Sequence, residues 1–476
     1  MKITATRAGA LALALLGLAG CAGQASRQLP VPEESRVHDS RSFRMPEAGL
    51  AFPALASSSI ETDRWSGVLG GAGYRIEVPK NWNGMLVMYT HGYVGTGQDL
   101  RVTNPEVRRH LVENGYAWAA SSYSKNYYDV RAGVEDTNAL ALAFTKIAAE
   151  KGRTLAEPKK IYIMGRSMGG HIAAAAVEQE TLRTAINKVR YSGAVPVCGV
   201  LGDTELFNYF AAYQTAAQHF AGMPATTFPT PDFEKLRPAL VSALWTSYPA
   251  TTTPQGDKLK AAVMHLTGGP RPIFEEGFRI KVLQDILWNG FGADGTINGI
   301  LNRNNLDTTR IVYQLDSDPA ISAEEAAFNR DVFRIKGTPD ANRQRSDGLR
   351  WIPAVNGQFD VPVVTLHTLG DMYVPFRMEQ LYNERARANG SDKWLVQRAI
   401  RAPSHCDFSV AEQVAAFQAM ADWEQRGVKP SGDDVMTQSV VADPNYGCTY
   451  TINTPGPDDL PALATVRPTL PACTKK

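Results

Sequence analysis

Residues 160–179 constrain the fold more than any other stretch. Lys160 to Met164 is short, apolar and β-branched enough for a buried strand, and Gly169 to Gln179 is an alanine-rich helix. Only Gly165-Arg166-Ser167-Met168 lies between them. A chain turning from strand to helix this quickly must hold Ser167 in a strained backbone conformation, with glycines on either side where strand and helix come close. The hydroxyl is then exposed at the carboxyl end of a strand, and the first N–H groups and dipole of the helix point at the same spot. This makes Ser167 a candidate nucleophile.

The surrounding pattern extends the argument. Tyr74 to Val78, Met85 to Tyr89 and Ala117 to Ser121 read as strands, Pro105 to Asn114 and Thr137 to Glu150 as amphipathic helices, and Val189 to Val197 as the strand after the serine helix. Gly70-Gly71-Ala72-Gly73 reads as a turn before the first of these strands. Alternation of this kind predicts an α/β fold with a mostly parallel central sheet and helices on both faces. It stops at residue 199 and resumes near 351. The interval 199–350 is mainly helical, including a predicted helix from Phe274 to Phe291 with Phe278, Val282, Leu283 and Ile286 on one side, and reads as a large helical cap insertion. Beyond it come a strand at Val361 to Leu366, a helix at Met378 to Ala388, a strand at Trp394 to Arg398 and a helix at Val410 to Arg426. The expected organisation is therefore a leader (1–20), a tether (21–59), a core in two parts (60–198 and 351–427) split by the cap, and a tail (428–476). That tail is proline-rich and unsuited to long helices or interior strands.

The start of the chain predicts export. Lys2 and Arg7 precede an apolar run from Ala8 to Leu18 that is too short to span a bilayer as a helix. Leu18-Ala19-Gly20-Cys21 is similar to the lipobox of bacterial lipoproteins, and the resemblance implies acylation of Cys21, palmitate-type chains included, with cleavage leaving this residue as the mature N-terminus. More than one acyl chain on a residue meets the requirement for stable anchoring. Ala22 in place of an aspartate implies, by resemblance to Gram-negative sorting, the outer membrane, with the body facing the periplasm or the exterior. A formal charge of +1, which turns slightly negative once Lys2 and Arg7 are removed, excludes electrostatic steering to nucleic acid. In such an oxidising space the four cysteines other than Cys21 allow three pairings, of which Cys448 with Cys473 and Cys198 with Cys406 are favoured.

A serine hydroxyl needs a base within reach and an acid to orient that base. The chain resembles the α/β-hydrolase superfamily from Tyr74 to Arg426, and that family's order of nucleophile, acid and histidine selects the remaining residues. Asp371, in Gly370-Asp371-Met372-Tyr373-Val374-Pro375, matches the acid loop, whereas Asp360 and Asp392 fit solvated turns. Of eight histidines only His405 follows Asp371, and it precedes the last helix where the family's base belongs. His171 is expected to pack internally, His367 to end a strand, His91 to be structural, and His38, His110, His219 and His265 to fit surfaces. Thr90-His91-Gly92-Tyr93 resembles the family's oxyanion loop, which implies the backbone N–H groups of Tyr93 and Met168 as oxyanion donors.

Gly-x-Ser-Met-Gly-Gly with an aromatic oxyanion residue looks like bacterial lipases and cutinase-like polyesterases. His405-Cys406 looks like tannases and feruloyl esterases, in which a second cysteine precedes the serine. Here Arg166 occupies that place, and Cys198 is the candidate partner of Cys406. The aromatic residues of the cap, Phe207, Phe210 and Trp288 among them, read first as its core and second as a pocket lining. No metal or cofactor motif is present. These residues imply a serine esterase or lipase-like enzyme acting on a small or polymeric ester. The rivals are a serine peptidase or amidase of prolyl-oligopeptidase type, for whose propeller too few residues precede Tyr74, and a non-catalytic surface-binding lipoprotein.

Overall fold

A computed structural model describes residues 41–289 and 305–474. The leader, Cys21, His38 and Phe291 lie outside the described residues. Ten strands are described: β1 (Thr62–Leu69), β2 (Ala72–Pro79), β3 (Met85–Thr90), β4 (Ala117–Ser121), β5 (Lys160–Arg166), β6 (Gly193–Val197), β7 (Trp245–Ser247), β8 (Thr251–Thr252), β9 (Val363–Thr368) and β10 (Leu395–Ile400). Eight form one sheet in the order β1-β2-β4-β3-β5-β6-β9-β10, while β7 and β8 make a small separate hairpin in the insertion. Only β2 runs against its neighbours in the large sheet, pairing antiparallel with both β1 and β4. All other pairs of that sheet are parallel.

Period-two alternation explains why the central strands read as continuous apolar runs. Leu86 and Met88 of β3, Ala117 and Ala119 of β4 and Ile163 of β5 face one core, and Val87 and Tyr89, Trp118 and Ala120, and Tyr162 and Met164 face a second. The first core is closed by the helices Val130–Glu150 and Met168–Ala176, and the second by Arg108–Glu113 and Val410–Arg426. Both faces are buried, as the sequence predicts.

Several boundaries differ from the sequence reading: the helix expected from Thr137 to Glu150 already begins at Val130, and the one expected from Pro105 to Asn114 runs from Arg108 to Glu113. β1 extends the sheet ahead of Tyr74; its Trp65 alone is buried, so the strand lacks the alternating apolar pattern that would have announced it. Gly70 and Gly71, with φ of 58° and 89°, make the tight turn that joins it to β2. The strand expected from Val189 begins only at Gly193. The cap helix expected from Phe274 to Phe291 is instead two helices, Phe274–Phe278 and Lys281–Asn289. Phe278 and Leu283 are buried, but Val282 and Ile286 are 58% and 37% exposed. The first of the two helices packs against the acid loop so closely that a Cβ on Gly277 would lie 1.9 Å from the carbonyl oxygen of Gly370.

Part of the segment read as a tether is docked. Arg75 donates to the carbonyls of Gly49 and Leu50, Arg108 donates to that of Pro53, and Phe52 packs at 5.4 Å against Trp118. The insertion shares the first core with the sheet: Phe207, Phe210, Trp245, Phe278 and Trp288 belong to the same cluster as Leu86 and Ile163. The proline-rich tail contributes two short helices, Gln438–Val441 and Pro461–Val466, and covers the outer edge of β10, where Asp433 donates its N–H to Gln397 O (2.7 Å) and accepts from Ala399 N (2.8 Å). Among the described residues no helix is long and apolar enough to cross a membrane.

Candidate active site

The turn after β5 has the geometry its glycines predict. Ser167 lies at φ 58° and ψ −122°, outside the ordinary regions for a side-chain-bearing residue, and its N–H donates to Val197 O at 2.9 Å. A Cβ at Gly165 would come within 2.0 Å of Gly169 O and Thr90 Oγ1, and one at Gly169 within 2.0 Å of Thr90 O. No residue but glycine lets β3, β5 and the helix meet this closely. The Thr90 hydroxyl completes the joint, within hydrogen-bond distance of the carbonyls of Gly169 (2.8 Å) and Met164 (3.2 Å).

His405 and Asp371 converge on Ser167 from the far side of the insertion. Nε2 of His405 is 2.8 Å from Ser167 Oγ, and Nδ1 is 2.5 Å from Asp371 Oδ2. The network assigns the tautomer: Nδ1–H donates to the carboxylate and Nε2 accepts from the serine O–H. Asp371 is fully buried, and its Oδ1 accepts the N–H groups of Tyr373 and Val374, both at 2.9 Å. Hydrogen bonds therefore stabilise the carboxylate in a site that excludes water. By contrast Asp360 forms a surface ion pair with Arg190, and Asp392 belongs to a short turn before β10.

The proposed oxyanion residues are the serine's chain neighbour and a residue of the loop that adjoins it. Met168 is the first residue of the serine helix, whose first-turn N–H groups have no partner within the helix. Tyr93 follows Gly92, where a Cβ would lie 3.2 Å from Ser167 Cβ, so the loop backbone runs directly against the serine. His91 shapes that loop: its ring stacks on Tyr123 at 4.1 Å, and its nitrogens approach the carbonyls of Gly92 and Ser122 at 2.7 and 3.2 Å. Burial lowers its pKa and favours the neutral ring. His171 is equally internal, accepting from the Tyr128 hydroxyl and donating to Pro353 O, both at 2.8 Å. His367, in β9, donates from Nε2 to Val374 O at 2.8 Å and so braces the acid loop.

Cys198, immediately after β6, is disulfide-bonded to Cys406, and Cys448 to Cys473. Cys406 Sγ is 3.3 Å from His405 Nε2, so the first bridge backs the imidazole. Cys198, His405 and Cys406 are also the one group among the described residues with metal-ligand spacing, but the two sulfurs are bonded to each other and offer no thiolate.

Several supports escape sequence reasoning. Arg166, the residue before the serine, donates to Glu106 at 2.8 Å and to Cys406 O at 2.9 Å, tying the serine turn to the histidine loop. Arg271 of the insertion is buried and donates to Leu369 O at 2.7 Å; desolvation lowers its pKa to about 10. Tyr209 donates to Met372 O at 2.9 Å. Phe210 stacks on Tyr373, whose ring stands edge-on to His405 at 5.4 Å. Local sequence carried no sign of these contacts beyond the aromatic density of the helix Glu205–Phe220.

A mostly parallel sheet covered on both faces, a strained serine between its fifth strand and a helix, a loop after β3 against that serine, and an acid and histidine following in order give this chain the α/β-hydrolase fold, with a serine, a histidine and an aspartate joined in one line at the sheet's carboxyl edge. No protein-family model matches it. The chain is similar to the o-phthalyl amidase of Xanthobacter agilis, with 23% identity over 460 residues that cover 84% of this chain and 95% of that protein. Among solved structures it is similar to feruloyl esterase B from Aspergillus oryzae, at 14% identity and a TM-score of 0.45, covering 82% of this chain and 86% of that one. It is also similar to the acylaminoacyl peptidase of Pyrococcus horikoshii, at 9% identity and a TM-score of 0.38, covering 80% of this chain and 44% of the peptidase.

Proposed function

We propose that this protein hydrolyses carboxylic esters through an acyl-enzyme. Ser167 Oγ attacks the ester carbonyl carbon while His405 Nε2 takes its proton, and Asp371 holds the imidazole and balances its charge. The carbonyl oxygen, now negative, is received by the N–H groups of Tyr93 and Met168. Collapse of the tetrahedral intermediate breaks the bond to the alcohol, which leaves with the proton from His405. Water then repeats the sequence on the acyl-serine and releases the acid. Water is the only co-reactant. The single observation that carries this reading is the continuous line from Ser167 Oγ through both ring nitrogens of His405 to a buried carboxylate.

A second reading, amide hydrolysis, is favoured by the likeness to an o-phthalyl amidase. The chemistry is the same up to the leaving group, and an amine requires fuller protonation by His405 to depart. A fluorophosphonate probe is expected to label the protein at Ser167, and a folded but unlabelled protein would support the binding-lipoprotein reading instead. Assays of esters and anilides with a common acyl group then separate the first two: faster turnover of the anilide would make the protein an amidase.

The lipobox-like run supports a lipid anchor at Cys21, which would place the enzyme on the bacterial envelope, outer membrane included. Metabolic labelling with palmitate is expected for the wild type and absent for Cys21→Ala. Equal labelling of both would remove the anchor.

A further inference from the structure

A second histidine and carboxylate lie behind the acid loop. His367 is the last residue but one of β9, and the loop that carries Asp371 returns to it before the helix Arg377–Asn389 begins. Val374 of that loop is held on both sides: its N–H donates to Asp371 Oδ1 at 2.9 Å, and its carbonyl accepts from His367 Nε2 at 2.8 Å. A displacement of the His367 ring therefore reaches the carboxylate of Asp371 through a single residue.

The far side of the ring sets its protonation. Glu379, in the first turn of that helix, places Oε1 3.3 Å from His367 Nδ1. Its other oxygen is already occupied, accepting from Thr365 Oγ1 at 2.6 Å and from Gln397 Nε2 at 2.5 Å. Among the described residues neither Oε1 nor Nδ1 has another partner, and both side chains are shielded from solvent. Val374 O can only accept, so Nε2 must carry a hydrogen, and a neutral ring then leaves Nδ1 with a bare lone pair. That lone pair would face a carboxylate oxygen where water does not reach, two acceptors with no donor. One more proton between the two atoms satisfies both. Burial pushes the His367 pKa down, but Glu379 and the charge of Asp371 outweigh it and the pKa is raised. Tyr382 of the helix and Tyr446 of the tail also face Glu379, and Arg271 of the insertion faces Asp371.

Resting on the hydrolase reading above, we infer that His367 and Glu379 share one buried proton and are positioning residues for Asp371. The proton locks the imidazole in the orientation that holds Val374 O, and Val374 N–H holds the Asp371 oxygen that His405 leaves unused. The line from Ser167 through His405 and Asp371 thus continues through Val374 to a second imidazole and a second carboxylate.

Neutron diffraction from the perdeuterated wild type at pH 7 is expected to show deuterium between His367 Nδ1 and Glu379 Oε1. An empty gap there would overturn the inference whether or not any variant folds. Kinetics test the positioning. Glu379→Gln is expected to keep kcat for p-nitrophenyl acetate within about threefold of wild type, because its amide N–H supplies the hydrogen facing Nδ1 while its oxygen still accepts from Thr365 and Gln397. Glu379→Met keeps the length but offers no donor. It is expected to lower kcat by about 10- to 100-fold with KM within about threefold, the pattern of a misplaced acid rather than of a lost binding contact. Wild-type kcat in a folded Glu379→Met, or a loss in Glu379→Gln as large as in Glu379→Met, would also overturn the inference. A wild type that escapes fluorophosphonate labelling would overturn the hydrolase reading itself, whereas a labelled wild type without the shared proton would overturn only the pair.

Discussion

Ser167→Ala is expected to lower kcat/KM for p-nitrophenyl acetate by about 10⁴- to 10⁶-fold while leaving the protein folded. The size follows from how the three side chains depend on one another. Without the hydroxyl, His405 and Asp371 have no nucleophile to activate, and the amides of Tyr93 and Met168 can only polarise a carbonyl for attack by free water. The fold is expected to tolerate the change because alanine keeps the Cβ already accommodated at φ 58° and gives up only the bond from Oγ to His405. A stability change within about 1 kcal/mol fits such a replacement. Thermal unfolding and ester turnover measured on the same preparation check both halves, and turnover within tenfold of wild type would remove Ser167 from the reaction.

The second large effect is expected where the tail meets the histidine loop. Arg467, in the tail, is completely shielded from solvent together with Glu412, and its guanidinium donates to both carboxylate oxygens at 3.0 Å and to Asp407 O at 2.6 Å. Arg467→Leu leaves Glu412 as an unpaired buried charge, which costs about 3 to 5 kcal/mol. Burial already raises the pKa of Glu412, and Arg467 pulls the other way. Once the arginine is gone the folded-state pKa rises further above the unfolded value. The folded state then holds the proton more tightly, so the penalty is small below about pH 4.5 and grows as the pH rises through the new folded-state value. Urea midpoints measured at pH 5 and pH 8 should therefore diverge more for Arg467→Leu than for wild type. Glu412→Gln in the same chain is expected to recover part of the loss, because the uncharged amide can still accept the Ser409 N–H. Equal midpoints for Arg467→Leu and wild type at pH 8 would contradict this account.

The contrast between these two residues shows what local sequence can carry. Ser167 is announced by its neighbours, because a strand, two glycines and a helix within a few residues leave little geometric freedom. Asp371 and His405 are legible only through chain order, and the structure brings both to the serine. Arg467 is invisible: its partner is 55 residues away, and the surrounding prolines suggest irregular wrapping. The first strand of the sheet was hidden for another reason, since an edge strand with a single buried side chain shows no alternation. The break between Phe278 and Lys281 falls where the first helix packs against the acid loop, Gly277 against Gly370, and the apolar spacing of the sequence carries no sign of that contact. In each case the missing information lies in a contact distant along the chain.

The bridge from Cys198 to Cys406 spans 208 residues, and the entire insertion lies inside that loop. Cutting the backbone anywhere within the insertion therefore yields two polypeptides that remain one molecule, the piece bearing the hydroxyl still linked through sulfur to the piece bearing the imidazole. Whatever flanks the insertion is spared the need to hold the two halves together by surface contact alone. A nick within the helical interruption thus leaves the reacting groups tied to one another through sulfur.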